Sequence, residues 1–318
     1  MATDTKASLK SLQQQVRSCE SVFLPPDDLL ILGIQATQIG IAEDGRLLFD
    51  PCFFQPHPER VLEKYPLDPL NMDEDFAPLN LRPDYDAFLE EISQEVPNTD
   101  RAVRLATERY NLHKQLYEED WLAQSHLTWQ HIDSHLSQEN RKGLPKSLAL
   151  SDLSPPRALW PSSCCSRDEH RMIESEWEVL EFWEDDVDDV QSSLMPHAII
   201  SVHSNVPADD AEASLTSYEV SAIVSAMICR KYCGPFRNHP IHPVLVLSYT
   251  GRNHGRIIQA SYDGQDLALQ YSPLWSFENE EMAPVELFVR YMMCESVGLE
   301  NSPIIGPVAR FDIRLNVD

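Results

Sequence analysis

The residues of this sequence best suited to acid–base chemistry lie in one stretch near the C-terminal third of the chain. A histidine titrates near neutral pH and can serve as an acid or a base, and an arginine can hold a carboxylate or an oxyanion. His254 and Arg256 are two apart, so on an extended strand their side chains share a face. This pattern predicts His254, Arg256 and Asp263 as catalytic residues and Asn253 and Tyr262 as binding residues. The alternative is a hairpin loop with ordinary polar side chains.

A second set has the residue types of a structural zinc site. Cys229, Cys233, His239 and His242 follow the spacing C-x3-C-x5-H-x2-H. Two thiolates and two imidazoles can close a tetrahedron around Zn²⁺. The alternative is that Cys229 continues the apolar face of its helix as a small buried hydrophobe. No other metal or cofactor is predicted.

A third set is acidic and comprises Asp185, Asp186, Asp188 and Asp189. Carboxylates one helical turn apart can share Mg²⁺ ions that bind a diphosphate. The run continues a series of glutamates in a predicted helix over residues 168–190, and the chain has no second metal motif of that kind. The pattern therefore favours a solvated acidic face, which we expect to bind a basic protein partner.

Three histidines, His126, His131 and His135, lie in a helical pattern. His131 and His135 are four apart and share a helix face, which suits zinc. Ile132 stands where a His-Glu-x-x-His protease has its general base, so protease chemistry is not expected. The spacing favours a partly exposed helix that carries histidines.

Composition narrows the function classes. The chain has 318 residues, with 51 Asp plus Glu against 25 Lys plus Arg, and a formal net charge of −26. Such a field repels phosphate backbones and anionic lipids, so neither nucleic acid nor a membrane is an expected partner. The sequence has no apolar run of membrane-spanning length and no secretory signal pattern, and its 7 cysteines are an odd number. We therefore expect a cytoplasmic or nuclear protein with reduced thiols.

The elements that must position these residues centre on three apolar runs near the end of the chain. Val244–Tyr249, Gly255–Tyr262 and Leu267–Tyr271 are separated by short Gly-containing breaks. The Asp263-Gly264 break suits a tight hairpin because glycine adopts positive φ without strain. We predict a three-strand meander, with the loop at residues 251–254 projecting past the sheet edge.

The rest of the chain predicts an α+β (mixed α/β) fold, with a C-terminal mixed sheet flanked by helices and a helical N-terminal half that holds a short β element. Two segments interrupt the regular structure of the chain: a Pro-rich segment at 51–83 and a Pro- and Ser-rich segment at 142–167. We predict an N-terminal region at 1–141, a linker at 142–167 and a C-terminal domain at 168–318. Helices are predicted over 6–20, 84–92, 100–139 (as two helices), 168–190, 207–232 and 283–297, and strands over 28–34, 46–49, 197–202 and 308–315.

The order helix, three strands, helix, strand in the last hundred residues resembles the core of PD-(D/E)xK nuclease-like folds. The resemblance implies Glu219 as a helix acid and Asp263 as a metal-binding acid. The third strand, Leu267-Ala268-Leu269-Gln270, has no acid-x-Lys pair. The resemblance therefore implies a nuclease-like fold without nuclease activity.

A second resemblance covers residues 215–280. The block His242-Pro243-Val244-Leu245, followed by Gly251 with His254 and Arg256 and then by Asp263-Gly264, is similar to a group of uncharacterised proteins of filamentous fungi. It implies a fungal source and a shared sheet, and it implies no activity.

Two functions follow from the sequence. The preferred one is a non-catalytic interaction or scaffold protein that binds a basic partner through the acidic helix. The alternative is a small-molecule enzyme of fungal metabolism, with a pocket near His254 and Arg256 that Tyr249 or Tyr262 lines. An apolar pocket with converging polar groups would distinguish the enzyme from the scaffold.

Overall fold

The computed structural model describes residues 2–68, 121–136, 141–145, 148–153, 157–159, 177–185, 195–208, 214–232, 239–251, 253–278 and 283–298. The helices of these ranges are α1 (Ala2–Arg17), α2 (Pro26–Ile31), α3 (Glu59–Lys64), α4 (Trp121–Ser134), α5 (Ser217–Tyr232) and α6 (Val285–Met292). Their strands are β1 (Phe23–Leu24), β2 (Ile34–Gln38), β3 (Phe54–Gln55), β4 (Arg157–Leu159), β5 (Trp177–Asp185), β6 (Ala198–Ser204), β7 (Leu215–Thr216), β8 (Val244–Thr250), β9 (His254–Tyr262), β10 (Leu267–Tyr271), β11 (Trp275–Ser276) and β12 (Glu295–Ser296).

A mixed sheet of eight strands organises the described part of the chain. Its order is β2-β10-β9-β8-β6-β5-β4, with β11 paired to β9. Strands β8, β9 and β10 form an antiparallel meander, while β6 pairs parallel with β8 and β2 pairs parallel with β10. The parallel β6–β8 pair needs a crossover connection, and α5 lies in it. The predicted α+β class and the predicted meander are both confirmed.

Both faces of the sheet are covered, which explains why β8 is buried along its whole length. Val244 and Val246 belong to one apolar core, together with residues of α1 and α5. Leu245 and Leu247, which alternate with them, belong to a second core with residues of α4 and α6. We call these the α5 face and the α4 face of the sheet.

In the N-terminal region one prediction is confirmed and two differ from the structure. The helix predicted over 6–20 is present as α1, which packs on the α5 face. The strand predicted over 28–34 is instead the helix α2. Pro26 suits the first turn of a helix, and Asp27 and Asp28 suit its positive N-terminus, so the local signals favour a helix. The strand predicted over 46–49 is reduced to a single bridge between Ile41 and Leu47, across the predicted turn.

The predicted acidic helix over 168–190 is wrong where the structure describes it, because β5 occupies Trp177–Asp185. The sequence WEVLEFWED is rich in aromatic and β-branched residues, which favour a strand between neighbours. Asp185 is the last residue of β5. Asp186, Asp188 and Asp189 lie outside the described residues.

The two C-terminal helices are shorter than predicted. The helix predicted over 207–232 begins at Ser217 as α5, and the helix predicted over 283–297 is α6, which ends at Met292 before β12. The strand predicted over 197–202 is β6. Of the helices predicted over 84–92 and 100–139, residues 121–134 are confirmed as α4, and residues 84–120 lie outside the described ranges, as does 308–315.

The three-part division at 142–167 stays a prediction. Two contacts join the predicted N-terminal region to the predicted C-terminal domain: β2 pairs with β10, and α1 packs against α5. None of the helices in the described ranges is long and apolar enough to cross a membrane.

Candidate functional site

The structure does not bring the three predicted catalytic residues together. His254 begins β9 and is half-buried, whereas Asp263 follows the end of the same strand. Nine residues of extended chain separate these two side chains by roughly 30 Å. The Asp263 carboxylate accepts hydrogen bonds from the backbone N–H groups of Gln265 (2.8 Å) and Asp266 (3.0 Å), and these bonds lower its pKa. Asp263 therefore stabilises the β9–β10 turn.

Arg256 is held by a buried carboxylate. Its Nε donates to Glu219 Oε1 at 2.8 Å and its Nη2 donates to Oε2 at 3.0 Å. Both side chains are only 1% exposed. Ser248 Oγ also donates to Glu219 Oε1, at 2.7 Å. A guanidinium committed to a buried bidentate pair positions the helix on the sheet, so Arg256 is not presented to a ligand here.

The same glutamate caps helix α5. Glu219 Oε2 accepts from the Thr216 backbone N–H (2.8 Å) and from the Thr216 hydroxyl (3.0 Å), and Glu219 N–H donates back to that hydroxyl at 3.1 Å. This reciprocal arrangement is a capping box. The helix acid that the nuclease resemblance implied is thus surrounded by hydrogen-bond donors of the fold.

The loop between β8 and β9 packs against α4 instead of projecting past the sheet edge. Asn253 adopts φ 59° and is buried, and its Oδ1 accepts a hydrogen bond from Thr128 Oγ1 at 3.0 Å. A Cβ at Gly251 would lie 2.4 Å from Trp121 Cβ, so only glycine allows this approach. Tyr262 is buried in the α5-face core.

The predicted zinc ligands are not assembled within the described residues. Cys229 is buried in the α5-face core, and His239 Nδ1 lies 2.8 Å from the Ile241 carbonyl oxygen. The His239 and His242 rings are 6.2 Å apart. Cys233 lies outside the described residues. Across the described ranges no three or more His, Cys, Asp or Glu side chains are arranged to hold a metal ion.

A different polar cluster lies on the α4 face, and a β-bulge creates it. Glu178 pairs with His203, and Glu181 pairs with Ser201, with an irregularity between Val179 and Glu181. In a regular strand, residues 178 and 181 would point to opposite faces. The extra residue in the bulge places both glutamates on the α4 face, and bulges recur beside functional sites.

The cluster runs across three strands under one helix. His203 on β6 is paired with Glu178 on β5 and with Tyr249 on β8, and the His203 and Tyr249 rings stack at 5.1 Å. Helix α4 covers this row with residues at helical spacing, of which His126 lies 4.8 Å and Trp129 lies 6.0 Å from the His203 ring.

Hydrogen bonds fix the orientation of His203. The Ser125 hydroxyl donates its one hydrogen to the Leu122 carbonyl at 2.7 Å, so Ser125 Oγ can only accept from His203 Nδ1, 3.4 Å away. His203 therefore carries its proton on Nδ1 and a lone pair on Nε2. At the outer side of the cluster, His126 Nε2 lies 2.6 Å from Glu178 Oε1, and these side chains are 31% and 20% exposed.

Three neighbouring polar atoms of the cluster have no hydrogen-bond partner in the described part of the chain. They are His203 Nε2, the Tyr249 hydroxyl and Ser201 Oγ, and all three side chains are fully buried. An unsatisfied buried polar group costs about 1–3 kcal/mol, so native structures keep few of them. Ser201 and His203 are two apart on β6, and His203 is paired with Tyr249 on β8, so the three side chains lie on the same face of neighbouring strands.

Burial keeps the cluster in its uncharged forms. It lowers the pKa of His203 well below the usual range, and the nearby His126 acts in the same direction. Burial raises the pKa of Tyr249 well above its usual range, helped by the carboxyl groups of Glu181 and Asp133. Burial and the Asp133 carboxyl together raise the pKa of Glu181 to about 8, against the hydrogen bond that Trp129 Nε1 donates to its Oε2 at 2.9 Å.

The cluster therefore offers one ring-nitrogen acceptor and several hydrogen-bond donors at neutral pH. His203 Nε2 can accept a hydrogen bond, while the Tyr249 hydroxyl and the protonated Glu181 carboxyl can donate hydrogen bonds. Such a set can orient and polarise a bound polar group.

One residue of this site had a signal in the sequence, because His203 is a polar residue in the apolar run AIISVHS. On the α5 face, Thr216 to Glu219 fits the T-x-x-E capping pattern. The bulge in β5 has no such signal. The chain matches no protein-family model, and comparisons with curated proteins and with solved structures found no similar chain.

Proposed function

We propose that this chain binds a small uncharged polar molecule between α4 and the sheet and carries out acid–base chemistry on it. The observation that carries the proposal is the group of three unpartnered buried atoms, His203 Nε2, the Tyr249 hydroxyl and Ser201 Oγ. A ligand with both a donor and acceptors would satisfy them. This is the small-molecule enzyme of the sequence prediction, with its site moved from His254 and Arg256 to the α4 face.

The roles follow from the proton positions. His203 Nε2 is the proton acceptor, because Ser125 Oγ holds the proton of the ring on Nδ1. The Tyr249 hydroxyl, stacked beside it, is the hydrogen-bond donor that stabilises charge developing on the substrate. The partly exposed His126–Glu178 pair lies nearest to solvent, so we place the entrance there.

An uncharged ligand suits the site better than an ion. The groups that face it are neutral at pH 7, and a charged ligand would lose its hydration without gaining a buried counter-charge. The net charge of −26 further disfavours anions at long range.

The test compares two tyrosines of one sheet. Tyr249→Phe should raise the free energy of unfolding by about 1 kcal/mol, because it removes a buried hydroxyl that has no partner. A screen of uncharged polar metabolites by thermal shift should find compounds that stabilise the wild type and not Tyr249→Phe. Tyr262→Phe is the matched control, since its hydroxyl is also buried and unpartnered in the described residues but lies on the α5 face.

The proposed catalytic activity is tested with each compound that binds. Incubation with the wild type should convert it to a product detectable by mass spectrometry, and His203→Gln should bind the compound but give no product. Compounds that stabilise Tyr249→Phe as strongly as the wild type would contradict the site. A bound compound that stays unchanged would contradict the catalytic part of the proposal alone.

The interaction function predicted from the sequence remains a separate proposal. Asp185 ends a strand, and Asp186, Asp188 and Asp189 lie outside the described residues, so no described surface supports it. A salt-dependent complex with a basic protein, weakened when these four residues are changed to Asn, would support it. The fungal source and the cytoplasmic or nuclear location also stay predictions.

A further inference from the structure

A second buried cluster lies beyond the C-terminal end of α4 and contains an arginine. Arg141 and His135 are only 4% and 5% exposed. A bridge between Leu67 and Arg141 brings the segment after α3 beside them. None of the residues proposed above to bind the substrate belongs to this cluster.

The Arg141 guanidinium has incomplete partners. Its Nε donates to the His135 carbonyl oxygen at 2.9 Å and its Nη1 donates to the Tyr65 carbonyl oxygen at 3.0 Å, whereas Nη2 is buried without a partner. Within the described ranges no carboxylate forms a direct ion pair with it, although the Glu286 carboxylate of α6 acts on its charge electrostatically. Asp68 pairs instead with the neighbouring Lys142, at 3.4 Å. In the described part of the chain the hydrogen bonds of Arg141 go to two neutral carbonyl groups, so no counter-ion contacts its positive charge there.

His135 adds a neutral donor beside this charge. Both of its ring nitrogens are buried without a hydrogen-bond partner in the described part of the chain. Burial, and then the charges of His131 and Arg141, lower the pKa of His135 to about 3. The ring is therefore neutral at pH 7 and carries one N–H group.

We propose that Arg141 and His135 form a binding site for a small oxyanion, the carboxylate or phosphate group of a metabolite. One oxygen accepts from Arg141 Nη2, and a second accepts from the N–H group of the His135 ring. Burying a charge without a contacting counter-ion is costly, and an oxyanion supplies that contact together with the missing acceptors.

The acidity of the whole protein does not prevent this binding. At physiological ionic strength exposed charges are screened beyond about 8 Å, whereas a buried guanidinium acts on an adjacent anion with little screening. The net charge of −26 therefore slows the approach of anions more than it weakens their contact with Arg141.

The experiment measures thermal stability of the full chain against increasing inorganic phosphate and, separately, acetate, with sodium chloride used to hold ionic strength constant. One or both anions should stabilise the wild type in a saturable manner. Arg141→Met should weaken that effect at least about tenfold. Lys142→Met is the matched control, because this neighbouring cation is exposed and should leave the effect unchanged.

A second readout uses the wild type only, in case Arg141→Met does not fold. Binding of the anion should raise the pKa of the His135 imidazole, followed by NMR of its ring nitrogens. Stabilisation by phosphate alone or by acetate alone identifies the oxyanion. No saturable effect of either anion on the wild type would overturn the proposal. An Arg141→Met protein that is less stable but responds to anions like the wild type would also overturn it, because Arg141 would then only cap α4.

Discussion

Two adjacent residues of β8, Ser248 and Tyr249, place their polar groups in different surroundings on the two faces of the central sheet. On the α5 face, Glu219 receives hydrogen bonds from Arg256, Ser248 and Thr216, so both carboxylate oxygens are satisfied. On the α4 face, Tyr249 follows Ser248 along the same strand, yet its hydroxyl has no partner among the described residues. One residue along β8 separates a complete network from an incomplete one.

The contrast distinguishes a structural network from the cluster that we propose binds a ligand. A fully satisfied buried network fixes how helix and strands fit together, and a ligand finds no free donor or acceptor in it. An incomplete network is retained against its cost to stability, and binding is the explanation we propose for the α4 face. His254 and Arg256 were predicted as site residues from their residue types. The unpartnered atoms of the α4 face are recognised only from the way the side chains pack.

The largest expected effect tests the complete network. Arg256→Met leaves the Glu219 carboxylate buried without its cation, and should lower the free energy of unfolding by about 3–5 kcal/mol in denaturant titrations. The double variant Glu219→Gln/Arg256→Met should lose less unfolding free energy than Arg256→Met alone, because it has no buried charge without a partner. A loss below about 1 kcal/mol for Arg256→Met would show that the pair does not hold α5 on the sheet.

A smaller effect concerns the protonation of Glu181. Its pKa in the folded protein is about 8, above the ordinary value of 4.5, so the folded state binds more protons than the unfolded state between these values. The contribution of Glu181 to the free energy of unfolding should therefore be fully present below about pH 4.5. It should be lost as the pH rises to about 8. Solvent screening of this partly exposed side chain limits the fall to on the order of 2–3 kcal/mol.

Glu181→Gln should remove this fall, as followed by denaturant titrations at a series of pH values. Glu178→Gln is the matched control, because Glu178 lies on the same strand but pairs with His126 near solvent. If the unfolding free energy depends on pH identically in the wild type and in Glu181→Gln, the Glu181 carboxylate is exposed to water and not buried under α4.

The smallest expected effect tests how α4 is held over the cluster. A Cβ added at Gly251 would overlap Trp121 Cβ, so Gly251→Ala should push the start of α4 away and cost about 1–3 kcal/mol. Gly40→Ala serves as a control for the substitution, because its Cβ would meet Leu48 Cδ1 at an ordinary 3.7 Å. A structure of Gly251→Ala with α4 unmoved would contradict the close contact.

The sequence determined the meander and the α+β class because these depend on local signals. The apolar run at Val244–Tyr249 is followed by a break with Gly251, and Leu267–Tyr271 is preceded by the Asp263-Gly264 break, which has the chemistry of a tight hairpin. The capping box at Thr216 to Glu219 also has a local signal, since its four residues are adjacent in the chain, but the prediction missed it and began this helix at residue 207. Helix α1 followed from its apolar spacing.

Only the tertiary structure decided that Trp177–Asp185 is a strand, because its pairing partner β6 supplies the hydrogen bonds that override the acidic helical pattern. It also decided which polar residues meet. Ser125, His203 and Tyr249 come from three distant segments, and a bulge sets the face of Glu181. Residue types and spacing along one chain carry no record of such long-range neighbours, so the α4-face site emerges only when the helix packs on the sheet.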